Sequence, residues 1–213
     1  IYKLFIDKTS HLLKLVGANI NTVPVLDLRI KGSNNIIGDR SFSKKAKTVS
    51  KMGDLCIKLF QENSIGTIIK HIPGHGLAKV DSHNFTPVVY KSLNYLKKYD
   101  FSVFKKKSCF FAMTAHVIYK NIDKLNTATH SKKVINHIRN SIGFKNIIIS
   151  DDLSMKSLKE TMKDNTIKSF KAGCNIVLHC NGNLNEMKIV AENSPLISSF
   201  IIKKTSQFYK ILS

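Results

Sequence analysis

The chain of 213 residues is 43% hydrophobic and 23% charged with only 4 prolines, a balance that excludes a disordered polypeptide. No apolar run reaches about 18 residues, and the opening IYKLFIDKTSHLLKLV is broken by charge every few positions. This argues against a membrane span or signal peptide and for a soluble, cytoplasmic protein. The formal charge of +20 is almost all lysine, spread over the whole length, with Arg29, Arg40 and Arg139 the arginines; base-reading surfaces favour the arginine fork, so no nucleic-acid partner is expected.

In chain order, the first segment reads as a helix running to Val16, before Gly17, and INTVPVLDL (20–28) as a strand. Ala46, Val49, Met52, Leu55, Cys56, Leu59 and Phe60 share one helical face, with Ser43 placed as the cap. GTIIKHI (66–72) is the next strand, followed by the irregular stretch KHIPGHGLAKVDSH, and CFFAMTAH (109–116) the strand after that. Val134, Ile135, Ile138 and Ile142 form a helical face behind a Ser131 cap, with Gly143 as its stop. NIIISDD (146–152) and NIVLHC (175–180) complete the strands, and a last helix is expected from Pro195 at a first turn to about Ile211. Nearly continuous apolar strands alternating with helices predict a parallel α/β sheet buried on both faces, in one domain over 1–213. Cys56, Cys109, Cys174 and Cys180 show no CxxC spacing and read as small buried apolar residues.

Polar residues gather where the strands end. Asp27, the stretch from His71 to His83, His116, the Asp151–Asp152 pair and Cys180–Asn181 each follow a strand. In a barrel of parallel strands those ends converge on one mouth. His71, His75, Asp81 and His83 invite a metal-site reading, a metal-dependent barrel hydrolase. An HxxxH spacing, however, presents both rings to one ion only on a helix, which Pro73 and Gly74 oppose. On spacing alone, Asp151 and Asp152 suit the capping of a following helix as well as they suit chemistry.

Five motifs in order, GDRSF (38–42), KHIPGHG with DSH (70–83), MTAHVIY (113–119), IIISDDLSM (147–155) and AGCNIVLHCN (172–181), make the chain similar to the bacterial β-N-acetylhexosaminidases of glycoside hydrolase family 3. The resemblance implies a (β/α)8 TIM-type barrel and a retaining exo-β-N-acetylglucosaminidase acting on muropeptides in cell-wall recycling, with no metal or organic cofactor. It implies Asp151 as nucleophile, forming a covalent glycosyl-enzyme intermediate, and His83 as general acid/base. Asp81 would hold the His83 ring, since residues two apart in an extended loop face the same side. Arg40, Lys70 and His71 would grip the sugar, and Pro73, Gly74 and Gly76 would act as hinges of a mobile loop. His75 gains no role, and His116 is as suited to packing as to lining the site.

The resemblance is partial. The chain begins on Ile1, its first strand matches about the fourth of the family's barrel, and the family's D-x-E-G-G-R-like motif does not occur. Asn146 stands where the family usually has glycine, and Ala128 where proline is common. A complete barrel takes about 250 residues. The expectation is an incomplete barrel of about five strands, the C-terminal portion of the enzyme, monomeric unless joined by a complementary N-terminal fragment. An inactive fragment is the competing expectation, because site residues can persist without the barrel that orients them.

Overall fold

The computed structural model describes residues 1–30, 32, 35 and 37–212. Helix α1 (Tyr2–Leu15) leads into β1 (Ile20–Asn21), α2 (Ala46–Glu62) and β2 (Gly66–Ile72). There follow β3 (Val88–Val89), α3 (Leu93–Lys98), β4 (Phe111–Thr114), β5 (Ile118–Tyr119) and α4 (Lys132–His137). The chain then continues through β6 (Ile147–Asp152), α5 (Met162–Ala172), β7 (Ile176–Leu178), α6 (Leu184–Glu192) and α7 (Ser199–Leu212).

Five strands form one parallel sheet in the order β1-β2-β4-β6-β7, and β3 pairs in parallel with β5 in a second, two-stranded sheet. In the main sheet Ile68, Phe111 and Ile147 stand side by side, as do Ile69, Ala112 and Ile148. Because side chains alternate across a strand, these two rows face opposite ways. Ile69, Ala112 and Ile148 enter the large core with Val49 and Ile57 of α2 and Val134 and Ile135 of α4. Ile68, Phe111, Met113, Ile147 and Ile149 enter a separate cluster closed by Phe208 of α7, whose ring meets Phe111 edge-on at 5.1 Å. The central strands β2, β4 and β6 are thus wrapped on both faces, which accounts for their nearly continuous apolar sequences, whereas β1 and β7 at the edges are half-buried.

Some expectations are corrected. The first strand was expected over 20–28, but its ladder ends at Asn21, because Pro24 has no N–H to give. Contact with β2 resumes beyond it, where Leu26 N donates to Lys70 O at 2.7 Å, so the segment still delivers Asp27 to the sheet's carboxyl end. Ser43 does not cap α2: the N-cap position is Lys45, without a side-chain bond, and the Ser43 hydroxyl accepts from Lys45 N one step earlier. Pro195 lies between α6 and α7 rather than in a first turn, and Ser198 accepts from Ile201 N at the start of α7. Ser131 does cap α4, accepting from Val134 N at 3.2 Å, and Gly143 ends the following π-helical turn (Ile138–Ile142) in the left-handed conformation. Of the cysteines, Cys56, Cys109 and Cys174 are buried, but Cys180 is exposed. Among the described residues no helix is long and apolar enough to cross a membrane.

Candidate active site

At the carboxyl ends of β2 and β6 lies a cavity of about 260 Å³ whose walls include Arg40, Lys70, His71, His83 and Asp151. Every predicted site residue except Asp81 lines it directly, and Asp81 reaches it through His83. Thr22, His75, Ser82, Met113, Leu178 and Cys180 complete most of the remaining wall.

The two carboxylates ending β6 divide their work. Asp152 accepts from Ser154 N at 3.0 Å, from the Ser154 hydroxyl at 2.6 Å and from Cys180 N at 3.1 Å, so it ties the strand end to the next turn and to the end of β7. Among the described residues Asp151 accepts only Asp152 N, at 2.9 Å through Oδ1, and turns Oδ2 toward His71 Nε2 at 3.9 Å. Burial pushes the Asp151 pKa up, but the neighbouring His71 and His116, with the Asp152 N–H, outweigh burial and hold it below the ordinary carboxylate value. The result is an anionic carboxylate with an oxygen presented to the cavity.

His71 is oriented from behind. Its Nδ1–H donates to Asp27 Oδ2 at 2.6 Å, and Asp27 also accepts the backbone N–H groups of His71 (3.1 Å) and His75 (2.6 Å). Asp27 is fully buried; desolvation raises its pKa, and the charges and hydrogen bonds of His71 and His75 overcome that and lower it. The sequence marks Asp27 only as a carboxylate at a strand end. Its partners lie 44 and 48 residues away, and the one local signal is an aspartate inside the apolar run PVLDL.

Lys70 points to the same cavity and donates weakly to Thr22 Oγ1 at 3.4 Å. Burial lowers its pKa, Asp151 raises it and Arg40 lowers it again, for a net decrease. Arg40 sits at the end of a 3₁₀ turn (Gly38–Arg40), which Ser41 fastens by donating to Asp27 O at 2.7 Å.

Across the cavity, His83 Nδ1–H donates to Asp81 Oδ1 at 2.8 Å, and among the described residues Nε2 has no hydrogen-bond partner. Alternation along an extended loop is not what joins them. The segment is a turn, with Asn84 N and Phe85 N both donating to Asp81 O, and the Asp81 carboxylate also accepts His83 N at 2.8 Å. The same aspartate therefore shapes the turn and holds the ring. Ser82, between the pair, is buried and hydrogen-bonds His75 Nε2 at 3.1 Å, so His75 is a strut from the root of the loop to the dyad. Burial, seconded by the charge of His71, lowers the His75 pKa to about 4.

Pro73, Gly74 and Gly76 are buried at the root of the loop: a Cβ on Gly76 would fall 2.3 Å from Leu28 O. The exposed part of the loop begins at Lys79. His116 packs behind the cavity, fully buried, with Nε2–H donating to Asp152 O at 3.0 Å and Nδ1 bonded to the Thr129 hydroxyl at 2.7 Å. Among the described residues no group of three or more His, Cys, Asp or Glu side chains is placed to hold a metal ion. The arrangement joins an anionic oxygen, a carboxylate-oriented imidazole and a set of cations around one sugar-sized hollow. It is suited to nucleophilic attack with proton transfer.

Residues 7–205 match the family described as the glycosyl hydrolase family 3 N terminal domain. The chain is 32% identical over 174 residues to a beta-hexosaminidase of Nitrosomonas eutropha, covering 79% of this chain and 50% of that protein. It is 33% identical to one of Neisseria meningitidis serogroup B, covering 79% and 48%. It thus spans about half the length of these curated relatives. The crystal structure of NagZ from Neisseria gonorrhoeae in complex with N-trifluoroacetyl-D-glucosamine superposes with a TM-score of 0.82 at 29% identity, over 93% of this chain and 59% of that one. The five parallel strands and their helices are a half-barrel of that TIM-like architecture. Fold, motif order and sequence identity agree, and the chain belongs to glycosyl hydrolase family 3.

Proposed function

We propose that this chain carries the catalytic face of a retaining exo-β-N-acetylglucosaminidase that removes terminal N-acetylglucosamine from muropeptides in the cytoplasm. One observation carries this reading. The free oxygen of Asp151 and the Asp81-held ring of His83 open into the same cavity, while Asp152 takes the capping duties that would otherwise occupy Asp151.

In the first step an Asp151 oxygen bonds to the anomeric carbon as the glycosidic C–O bond breaks, and His83 Nε2 delivers its proton to the departing oxygen. In the second, water attacks the anomeric carbon and gives a proton to His83. The Asp151 ester bond breaks, the carboxylate is restored, and the sugar leaves with retained configuration. Asp81 keeps Nδ1 protonated throughout, so that Nε2 is the nitrogen that acts. Arg40, Lys70 and His71 bind the sugar's hydroxyl and acetamido groups, and the ligand named for the gonococcal structure supports that sugar class.

The open sheet favours a second reading, in which turnover needs a complementary N-terminal fragment. Among the described residues β1 and β7 are paired on one side only, and beside β1 lies a cleft of about 500 Å³ lined by Tyr2, Phe5, Ile6, Pro24 and Phe42. A fluorinated N-acetylglucosaminide that traps the glycosyl-enzyme should add one sugar mass to the peptide holding Asp151, and Asp151→Ala should abolish both labelling and hydrolysis of an aryl N-acetylglucosaminide. Labelling elsewhere, or turnover by Asp151→Ala, refutes the first reading. Activity that appears only on adding the N-terminal half of a relative establishes the second.

A further inference from the structure

Asp100 opens a 3₁₀ turn (Asp100–Phe104) after α3, behind the site and outside the chemistry described above. It is 1% exposed, and among the described residues no other residue donates to its carboxyl oxygens, the one donor acting on them being its own backbone N–H, whereas Asp27 is equally buried and fully engaged. Its successors Phe101, Val103 and Phe104 belong to the large apolar core. The elements packed around the turn present Val49 and Ile57 from α2, Ile69 and Ile72 from β2, and Ile138 and Ile142 from the π-helical turn. The titratable groups that act on it are Asp27 and, through its hydroxyl, Tyr119.

Asp100 also touches the loop that carries the dyad. A Cβ on Gly74 would lie 2.8 Å from Asp100 Cβ, and Gly74 has a φ of 144°, open only to glycine. The Tyr119 hydroxyl donates to Gly74 O, so the loop root is held by both residues. From there the connection runs on: His75 follows Gly74, His75 Nε2 bonds Ser82 Oγ, and Ser82 sits between Asp81 and His83.

A carboxyl buried among apolar side chains with no donor but its own N–H favours the neutral form. Burial, reinforced by the negative charge of Asp27, pushes the Asp100 pKa up to about 7. Once ionised, the group must gain water or N–H donors. Most of its surroundings are core strand and helix; the Pro73–Gly76 segment, buried but outside any strand or helix and continuous with the exposed loop from Lys79, is the neighbour whose packing an ionised Asp100 would disturb.

We propose that Asp100 is a positioning residue whose neutral side chain props the Pro73–Gly76 segment in the conformation that presents His83, and that loss of its proton to solvent unseats this segment. The effect on turnover rests on the glycosidase reading; the effect on the loop does not.

The test follows loop order directly. Hydrogen exchange of peptides spanning 74–85, corrected for intrinsic rates, should lose about tenfold protection as pH passes about 7. Asp100→Asn cannot ionise and should keep its protection to about pH 8.5, with the alkaline limb of kcat moved upward and KM unchanged. A ¹³C titration of the wild-type carboxyl should show the same midpoint as the exchange, which tests the idea even if the variant fails to fold. Equal pH dependence in wild type and Asp100→Asn, or a carboxyl midpoint below about 5, overturns the proposal. An exchange difference in a chain without hydrolase activity upholds it and counts against the glycosidase reading alone.

Discussion

Neighbouring aspartates on β6 do opposite jobs, and their partners decide which. Asp152 has its oxygens filled by Ser154 and Cys180 N–H groups and a hydroxyl, so Asp152→Ala removes three hydrogen bonds from half-buried and exposed donors. A typical hydrogen bond contributes about 0.5–1.5 kcal/mol net, and with these lost together thermal unfolding should show a clear drop. Asp151→Ala removes a single backbone acceptor and should leave the melting temperature nearly unchanged while abolishing the labelling described above. Asp27 adds a prediction in pH. Its folded pKa lies below its unfolded value, so its contribution to stability is complete above the unfolded carboxylate range and is lost as pH falls through the folded pKa. Asp27→Asn should therefore be less stable near neutrality and should lose part of the acid-induced decline below about pH 4, measured as urea midpoints across pH. An unchanged acid slope would mean that the Asp27–His71 contact contributes nothing. The pairing of Asp81 and His83 is expected from the resemblance of the D-S-H stretch, but alternation along an extended loop is not its physical reason, since the backbone that joins them is a turn. The role of Asp27 was not legible, since its partners become neighbours only after β2 pairs beside it.

The elements show which local signals suffice. β2 and β6 were legible because both their faces are buried, so β-branched residues run on without alternation. α5 was not, because its buried positions are Asn165, Thr166, Ser169 and Ala172, and an apolar period of 3.6 is absent. Their polarity is absorbed locally: the Thr166 hydroxyl donates to Met162 O and the Ser169 hydroxyl to Asn165 O. α6 buries no residue, and its Leu184 and Met187 stay exposed. Caps were legible where the hydroxyl sits directly before the helix. Ser131 is the example, accepting from Val134 N while its own hydroxyl donates to Asp123 Oδ2 at 2.7 Å. Ser131→Ala should cost about 1 kcal/mol and raise amide exchange through α4. Ser43→Ala should cost much less, since Ser43 bonds Lys45 N outside the helix.

At the scale of the molecule, the half-barrel faces the problem of what covers the side of the sheet turned away from the large core. α7 answers part of it: Phe208 lies among Ile68, Phe111, Met113, Ile147 and Ile149, with Phe200, Ile201 and Leu212 packed around the same cluster. Its ring contacts Phe111 at 5.1 Å and Phe110 at 5.7 Å, so one residue near the end of the chain bridges the middle of the sheet. Replacing such a buried aromatic with alanine costs about 3–5 kcal/mol, against a total stability of about 5–15 kcal/mol for a domain. Phe208→Ala should therefore lower the urea midpoint by a large fraction and expose the apolar row of the sheet to a hydrophobic dye. The large core behind the sheet does not include Phe208, so the Asp27–His71 and Asp81–His83 pairs should survive in the molecules that remain folded. A loss below about 1 kcal/mol would mean that α7 does not hold the sheet and that its cover comes from elsewhere.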